Sequence, residues 1–219
     1  QEGLIGPVVR VILEDRQKAL WVGTSRGLSV LRSGQFTSYT TEDGLAGTNV
    51  MVIHEDHDGQ MWIGTDGGLS RWDNGKFVNI KEQNGLSHNF VHAIHEDAEE
   101  ALWIGTKRGL NRIRDGKIAR YTNTQGLFSD EIYEIIEDDS GYFWMSCRKG
   151  IFRVRKAQLD ALDRGEIKSV TSTVFGKADG LASVQCNGVA KPAGWKARDG
   201  RIWFPTIRGV VAVDSRIET

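Results

Sequence analysis

Between residues 49 and 86 the chain alternates short apolar runs with short polar turns, and the run lengths are those of strands. Asn49 to Glu55 (Asn-Val-Met-Val-Ile-His-Glu) is rich in apolar and β-branched residues and ends at Asp56-His57-Asp58-Gly59. That is a strand running into a turn, with Asp and Gly where the backbone must reverse. Met61 to Thr65 predicts a second strand, Asp66-Gly67-Gly68 the next turn, and Leu69 to Trp72 a third strand. Asp73-Asn74-Gly75 turns into a fourth strand at Lys76 to Ile80, and Glu82 to Leu86 leads on to Asn89. A helical solenoid would need a period of about 3.6 residues, which is absent.

The pattern recurs. Trp21, Trp62, Trp103 and Trp144 stand 41 residues apart, in the phrases Leu20-Trp21-Val22-Gly23-Thr24, Met61-Trp62-Ile63-Gly64-Thr65, Leu102-Trp103-Ile104-Gly105-Thr106 and the looser Phe143-Trp144-Met145-Ser146-Cys147. A fifth copy, Ile202-Trp203-Phe204-Pro205-Thr206, follows after 59 residues. A fixed period of about 40 residues is one supersecondary unit copied along the chain. Four short antiparallel strands per copy predict an all-β fold, a β-propeller of five blades at roughly 5–45, 46–86, 87–127, 128–181 and 182–215. A parallel β-helix would need shorter coils.

The repeated positions have physical reasons. A Trp in mid-strand, flanked by Leu, Ile or Val, is expected to fill the gap between blade faces. The Gly two residues later (Gly23, Gly64, Gly105) is expected to admit a neighbouring backbone. The later Gly (Gly27, Gly68, Gly109, Gly150, Gly209) stands at a turn and is expected to take a positive φ. Acidic pairs recur at Glu14-Asp15, Glu55-Asp56, Glu96-Asp97 and Glu137-Asp138. Repetition in four blades points to an Asp that bonds its own turn rather than to acid/base catalysis.

These residues resemble the two-component regulator propeller repeat. The pattern is an apolar strand, Glu-Asp, a short turn, Leu-Trp-Ile-Gly-Thr, two variable residues, Gly-Leu, then Gly-x-Phe and a terminal Gly-Leu. Copies two and three match almost throughout, including Gly75-Lys76-Phe77 and Gly85-Leu86, and copy one carries Gly34-Gln35-Phe36 and Gly44-Leu45. Copy four departs at Ser146 and Cys147, and copy five at Pro205 and Val210. Asn187 to Asp214 is similar to the last blade of such sensors. The resemblance implies a periplasmic, non-catalytic ligand-sensing segment of a bacterial transmembrane receptor. It implies an unidentified small-molecule or oligosaccharide ligand, a downstream immunoglobulin-like domain, and a histidine kinase or diguanylate cyclase output.

Composition narrows the picture. Lys and Arg total 28 against 29 Asp and Glu, a formal charge of -1, which offers no general field for nucleic acid or an anionic membrane. Twenty-six Gly and three Pro fit many tight turns and few stiff linkers. No apolar run approaches the roughly 20 residues of a membrane helix. The opening Gln1-Glu2-Gly3-Leu4 lacks the basic and apolar regions of a signal peptide. No P-loop, Gly-x-Ser-x-Gly elbow or His-Glu-x-x-His appears, and no cofactor is expected.

The ends suggest an open ring. Gly3-Leu4 holds the register of Gly44-Leu45, the tail of an outer strand, while copy five supplies three strands, at about Val184 to Ala190, Arg201 to Thr206 and Val210 to Asp214. The expectation is the C-terminal part of a larger, seven-bladed ring, with unpaired edges that invite self-association. A five-blade ring with a three-stranded last blade is the alternative. In copy four, Lys156 to Glu166 predicts a short helix, expected to be a surface decoration, with Thr171 to Phe175 as the displaced outer strand.

In a propeller the turns between second and third strands share a face with the blade links. Those turns are Ser25-Arg26, Asp66-Gly67, Lys107-Arg108, Arg148-Lys149 and Ile207-Arg208, and the links include Thr48-Asn49, His88-Asn89 and Asp130-Glu131. Variable polar residues on a repeated frame suit a binding site. The candidate ligand-binding residues are Arg26, Asn49, Asp66, Asn89, Arg108, Asp130, Arg148 and Arg208. Their arginines favour an anionic or hydroxyl-rich ligand. His88, His92 and His95 are near metal spacing, but strand alternation places His92 and His95 on opposite faces, so no metal is expected. Cys147 and Cys186 should lie near one face, as two buried thiols or a disulfide. A propeller enzyme, a lyase or glycoside hydrolase, would instead need acids or a His-Arg cluster converging on the axis. A protein-interaction scaffold would need an exposed apolar patch.

Overall fold

The computed structural model describes residues 3–181, 183–189 and 191–216. Ala182 and Ala190, which bound the predicted fifth blade and its inner strand, lie outside the described residues, as do Gln1 and Glu2. Five antiparallel sheets follow one another along the chain. The first is β1 (Val9–Glu14), β2 (Leu20–Thr24), β3 (Gly27–Arg32) and β4 (Gln35–Tyr39). The second is β5 (Val50–Glu55), β6 (Met61–Thr65), β7 (Leu69–Asp73) and β8 (Lys76–Ile80), and the third β9 (Val91–Glu96), β10 (Leu102–Thr106), β11 (Gly109–Arg114) and β12 (Lys117–Tyr121). The fourth is β13 (Glu134–Glu137), β14 (Tyr142–Cys147), β15 (Gly150–Arg155) and β16 (Thr173–Phe175), with helix α1 (Lys156–Asp163) before its outer strand. The fifth has three strands, β17 (Trp195–Lys196), β18 (Arg201–Thr206) and β19 (Gly209–Asp214). These are propeller blades, in the predicted order.

Apolar cores fill the spaces between consecutive blades. Trp21 packs with Leu28, Val50 and Ile63 between blades one and two, and Trp62 with Leu69, Val91 and Ile104 between two and three. Trp103 packs with Tyr121, Ile132 and Phe143, and Trp144 with Phe175, Ile202 and Phe204. Each Trp is fixed by more than packing. Its indole Nε1 donates to the Asp six residues earlier: Trp21 to Asp15 at 2.8 Å, Trp62 to Asp56 at 2.7 Å, Trp103 to Asp97 at 2.7 Å and Trp144 to Asp138 at 2.6 Å. The other carboxylate oxygen accepts backbone N–H groups of the turn, as from Ala101 to Asp97 at 3.0 Å. The repeated Asp therefore bonds its turn, as expected, and its Trp as well. Blade five has Ala197 in that place, and its Trp203 is only half-buried.

The repeated Thr ends β2, β6, β10 and β18 with one turn geometry. Thr106 Oγ1 donates to Gly109 O at 2.9 Å and accepts from Arg108 N at 3.1 Å. In blade four Cys147 takes this place, its Sγ accepting from Lys149 N at 3.3 Å. The turn glycines hold positive φ, 144° at Gly68 and 148° at Gly150. At Gly105 the expected backbone is present, Ile132 O lying 3.1 Å from where a Cβ would stand, but Gly23 and Gly64 have a different reason. A Cβ on Gly64 would stand 2.5 Å from Val52 Cγ1 and 2.6 Å from Val91 Cγ1, so side chains of two inner strands, not a backbone, exclude it.

Three other expectations change. Helix α1 is not a decoration: Leu159 is 0% exposed and packs in the core with Trp103 and Tyr121. Arg112 on β11 bonds Asp160 at 2.5 Å and also Asp163, while Lys156 lies 3.1 Å from Asp97, so the helix fastens blade four to blade three. The helix ends at Asp163, short of Glu166. Within the expected inner strand Val184 to Ala190, the described residues Val184 to Val189 form no strand; Cys186 makes one bridge to Thr206, and the next strand begins at Trp195. Val189 and Lys191 instead reach blade one. Lys191 N donates to Arg10 O at 3.4 Å, and Arg10 Nη1 to Val189 O at 3.4 Å. The first and fifth blades thus touch at the axis, while Val8, Val9 and Ile12 on one flank and Trp195 and Val210 on the other are exposed. Among the described residues β19 is an edge strand.

Candidate functional site

The two faces of the arc differ in what their polar groups are doing. On the Glu-Asp face a hollow of about 580 Å³ spans blades one to three. Its polar groups bond one another across blades. Glu55 accepts from Arg16 N at 2.9 Å, and Glu96 from His57 N at 2.9 Å and ring Nδ1 at 2.5 Å. The bond to Glu96 is the main reason the His57 pKa is raised. This face stitches the frame.

The other face carries the predicted candidates, and the structure divides them. Asp66 Oδ1 accepts from Asn49 N at 3.1 Å, and Asp66 N returns a bond to Asn49 O at 3.1 Å. Asn89 Oδ1 accepts from Glu82 N at 2.8 Å, and Asp130 Oδ1 from Asn123 N at 2.6 Å. Asp66, Asn89 and Asp130 therefore hold turns and links. Arg26, Arg108, Arg148 and Arg208 are exposed. Arg26, Arg108 and Arg208 fill the second place of their turns, where the backbone N–H bonds the repeat Thr. Of the eight, Asn49 alone lines the cavity at the axis.

That cavity is built by a device the strand pattern conceals. In β1, β5 and β9 the register against the second strand shifts between Val9 and Val11, between Val50 and Val52, and between Val91 and Ala93. The bulged residues are Arg10, Met51 and His92, 41 residues apart, and Tyr133 is next in the series. A bulge re-aims a side chain that alternation would send elsewhere. All four line a hollow of about 470 Å³ at the axis, with Asn49, Phe90 and Glu131, themselves repeat equivalents. Lys107 and Ile207 enter from the turns, and Gln185 to Val189 from blade five. Column by column, the frame repeats (Val9, Val50, Val91, Ile132) while the lining changes (Arg10, Met51, His92, Tyr133).

The mouth holds polar groups without full partners. His92 is 7% exposed, and neither ring nitrogen has a hydrogen-bond partner among the described residues. Burial, then the charges of Lys191 and Lys107, push its pKa down to about 3, so the imidazole is neutral at physiological pH. Its ring sits 4.6 Å from Phe90 and 5.2 Å, edge to face, from Tyr133. Burial and the neighbouring Glu131 push the Tyr133 hydroxyl up to about 12, against the opposing charge of Arg148. Lys191 is paired with Glu134 at 3.1 Å. Arg10 and Lys107 make no ion pair among the described residues; Arg10 Nε donates to Asn49 Oδ1 at 2.5 Å.

The remaining candidates are structural. His95 Nε2 lies 3.3 Å from Glu137, on the far side from His92, and the described residues contain no cluster suited to a metal ion. Cys147 and Cys186 are free and buried, with Cys186 N donating to Cys147 O at 3.4 Å. Burial pushes the Cys186 thiol up to about 12, which makes it a poor nucleophile.

Antiparallel blades repeated about an axis, with equivalent bulges lining one mouth, define a β-propeller segment. Three repeats match the model of the two component regulator propeller, at residues 3–26, 44–67 and 85–108. Among solved structures, the extracellular domain of a putative hybrid two component system from B. thetaiotaomicron superposes with a TM-score of 0.80 at 23% identity, over 95% of this chain and 28% of that one. The extracellular domain of a putative one component system from the same organism gives 0.77 at 21% identity, over 97% and 30%. Virginiamycin B lyase from Staphylococcus aureus gives 0.66 at 16% identity, over 96% and 71%. The chain spans under a third of the first two proteins. No curated protein matches it. No helix among the described residues is long and apolar enough to cross a membrane.

Proposed function

We propose that this chain is part of the periplasmic, ligand-sensing region of a bacterial transmembrane receptor, and that it binds without catalysing. It belongs to a larger propeller followed by an immunoglobulin-like domain and a kinase or cyclase output, and β19 is an edge where self-association can begin. The ligand is a small molecule or oligosaccharide seated on the face of the second-to-third-strand turns, centred on the axial mouth and bordered by Arg108 and Arg148.

One observation carries this reading: the lining of the mouth changes from blade to blade over a frame that repeats, and it contains a buried imidazole with both nitrogens unpartnered. A ligand that bridges several blades can bias their relative pose, provided it binds the two signalling states with different affinity. Substituting Arg108 and Arg148 together by Ala in the full-length receptor should abolish the response to its stimulus while thermal stability stays within about 0.5 kcal/mol, as expected for exposed sites. Undiminished signalling, with ligand bound elsewhere, would overturn the placement.

A catalytic reading has one point in its favour, the nearness of His92 and Glu131 in one mouth. Proton transfer is most efficient when the catalytic pKa lies near the working pH, and an imidazole held at about 3 is a weak base and no acid at neutral pH. Turnover of a bound compound by this chain alone would move the protein to the enzyme class.

A further inference from the structure

The geometry points to a specific ligand chemistry at the axial mouth: a ring-bearing carboxylate, its acid group against Arg10 and Lys107 and its ring against Phe90, His92 and Tyr133. This rests on the reading above only in placing the ligand at the mouth. Four features converge on it. First, the charges do not balance within the hollow. Arg10 and Lys107 line it against one carboxylate, Glu131, an excess of one positive charge, and neither cation makes an ion pair among the described residues. A guanidinium and an ammonium lining one hollow suit a carboxylate, whose two oxygens accept from either.

Second, three rings line the same hollow. Phe90 lies 4.6 Å from His92 at an interplanar angle of 37°, and Tyr133 5.2 Å from it at 74°. Such a corner offers an apolar face and an apolar edge to a flat or chair-like ring. Third, a neutral imidazole presents one donor and one acceptor. With 7% of its surface exposed, His92 leaves both unmet, a cost that a ligand's carboxylate oxygen and hydroxyl would relieve. Fourth, the hollow of about 470 Å³ is within the size range of small-molecule sites.

The test is titration of the whole chain, followed by the ring resonances of His92 in ¹⁵N NMR and by calorimetry. The probes are D-glucuronate and benzoate, two ring acids with different bodies. D-glucose (ring without charge) and acetate (charge without ring) are the controls. At least one ring acid should shift the His92 signals saturably, and both controls should bind about ten-fold more weakly or worse. Binding of glucuronate alone identifies the body as a sugar acid, benzoate alone as an aromatic acid, and both together support the shared chemistry. Lys107→Gln, an exposed change, should weaken the ring acid about five-fold and leave the thermal midpoint unchanged. His92→Gln should weaken it as well, with the fold verified by circular dichroism. Glucose binding as well as glucuronate, or acetate as well as either acid, refutes the ring-carboxylate assignment while leaving the mouth as the sensing site. No saturable shift from either acid refutes it outright. Shifts confined to His57 on the Glu-Asp face overturn the placement and the assignment together.

Discussion

Replacing Asp97 by Ala tests why an Asp and a Trp recur together in the first four blades. Asp97 is 6% exposed. It accepts from Ala101 N at 3.0 Å, from Glu99 N at 3.0 Å and from Trp103 Nε1 at 2.7 Å, and Lys156 Nζ lies 3.1 Å away. Ala101 and Trp103 are buried, so their two donors would lose the carboxylate without gaining water. An orphaned buried donor costs about 1–3 kcal/mol, so the two together predict a loss of roughly 3–5 kcal/mol. Glu99 N is exposed and recovers water, and Lys156 keeps Glu99 and Glu137, so neither adds much. Burial works against ionisation of Asp97, but the bonds from Trp103, Ala101 and Lys156 outweigh it and hold the pKa below the usual value. A depressed carboxylate pKa gives stability that is present above about pH 4 and is lost as pH falls through the folded value. Urea unfolding followed by tryptophan fluorescence, with the slope unchanged, measures the difference. The matched control is Glu14→Ala, whose pair with Lys18 is solvent-exposed and should leave the urea midpoint nearly unchanged. A loss under about 1 kcal/mol for Asp97→Ala would show that the Trp is held by packing alone.

Leu159→Ala should cost about 2–4 kcal/mol because α1 seals the core between blades three and four; a neutral result on thermal unfolding would return the helix to the surface. Ala197→Asp should stabilise by roughly 0.5–1.5 kcal/mol, since Ala197 N already donates to Arg201 O at 2.8 Å in the same turn geometry, and quenching or shift of Trp203 fluorescence would report the new bond. For His92 the folded pKa lies below the unfolded 6.5, so stability is lost as pH falls from 6.5 towards 3. Urea midpoints at pH 6 and pH 4.5 should diverge less in His92→Gln than in the parent, by up to about 1.4 kcal/mol per pH unit; equal slopes would show that the imidazole protonates freely in the folded chain.

Most of the fold was legible because its signals are local. The 41-residue period, the alternation of apolar runs and Gly-Asp turns, and the mid-strand Trp each read directly as blades, and the second copy's strands at Met61–Thr65 and Lys76–Ile80 fell where the pattern put them. The inner strand of blade five was not legible, since Val189 and Lys191 are held by contacts with Arg10 that lie far apart in sequence. The packing of α1 was hidden for the same reason: Arg112 and Asp160 meet only after two blades have formed. The roles of the candidate residues were less legible. Of the residues expected on the face of the second-to-third-strand turns, Asn89 and Asp130 cap turns that begin seven residues earlier. Strict alternation also gave no hint that Arg10, Met51 and His92 are bulged. One signal was present: beside the repeated Val9, Val50, Val91 and Ile132, the column Arg10, Met51, His92 and Tyr133 never repeats. A bulge conserves position while freeing the side chain, so such a column marks residues released from the frame.

The central claim is that recognition belongs to the bulged column at the axis and structure to the Glu-Asp face. It is tested most directly by signalling of the full-length receptor, under the stimulus that drives the parent, in Tyr133→Ala and Lys107→Ala on one face and Gln17→Ala and Glu100→Ala on the other. The account predicts that both mouth variants lose the response at normal protein level while both variants of the opposite face keep it. Normal signalling from the mouth variants, with loss in the other pair, would contradict it.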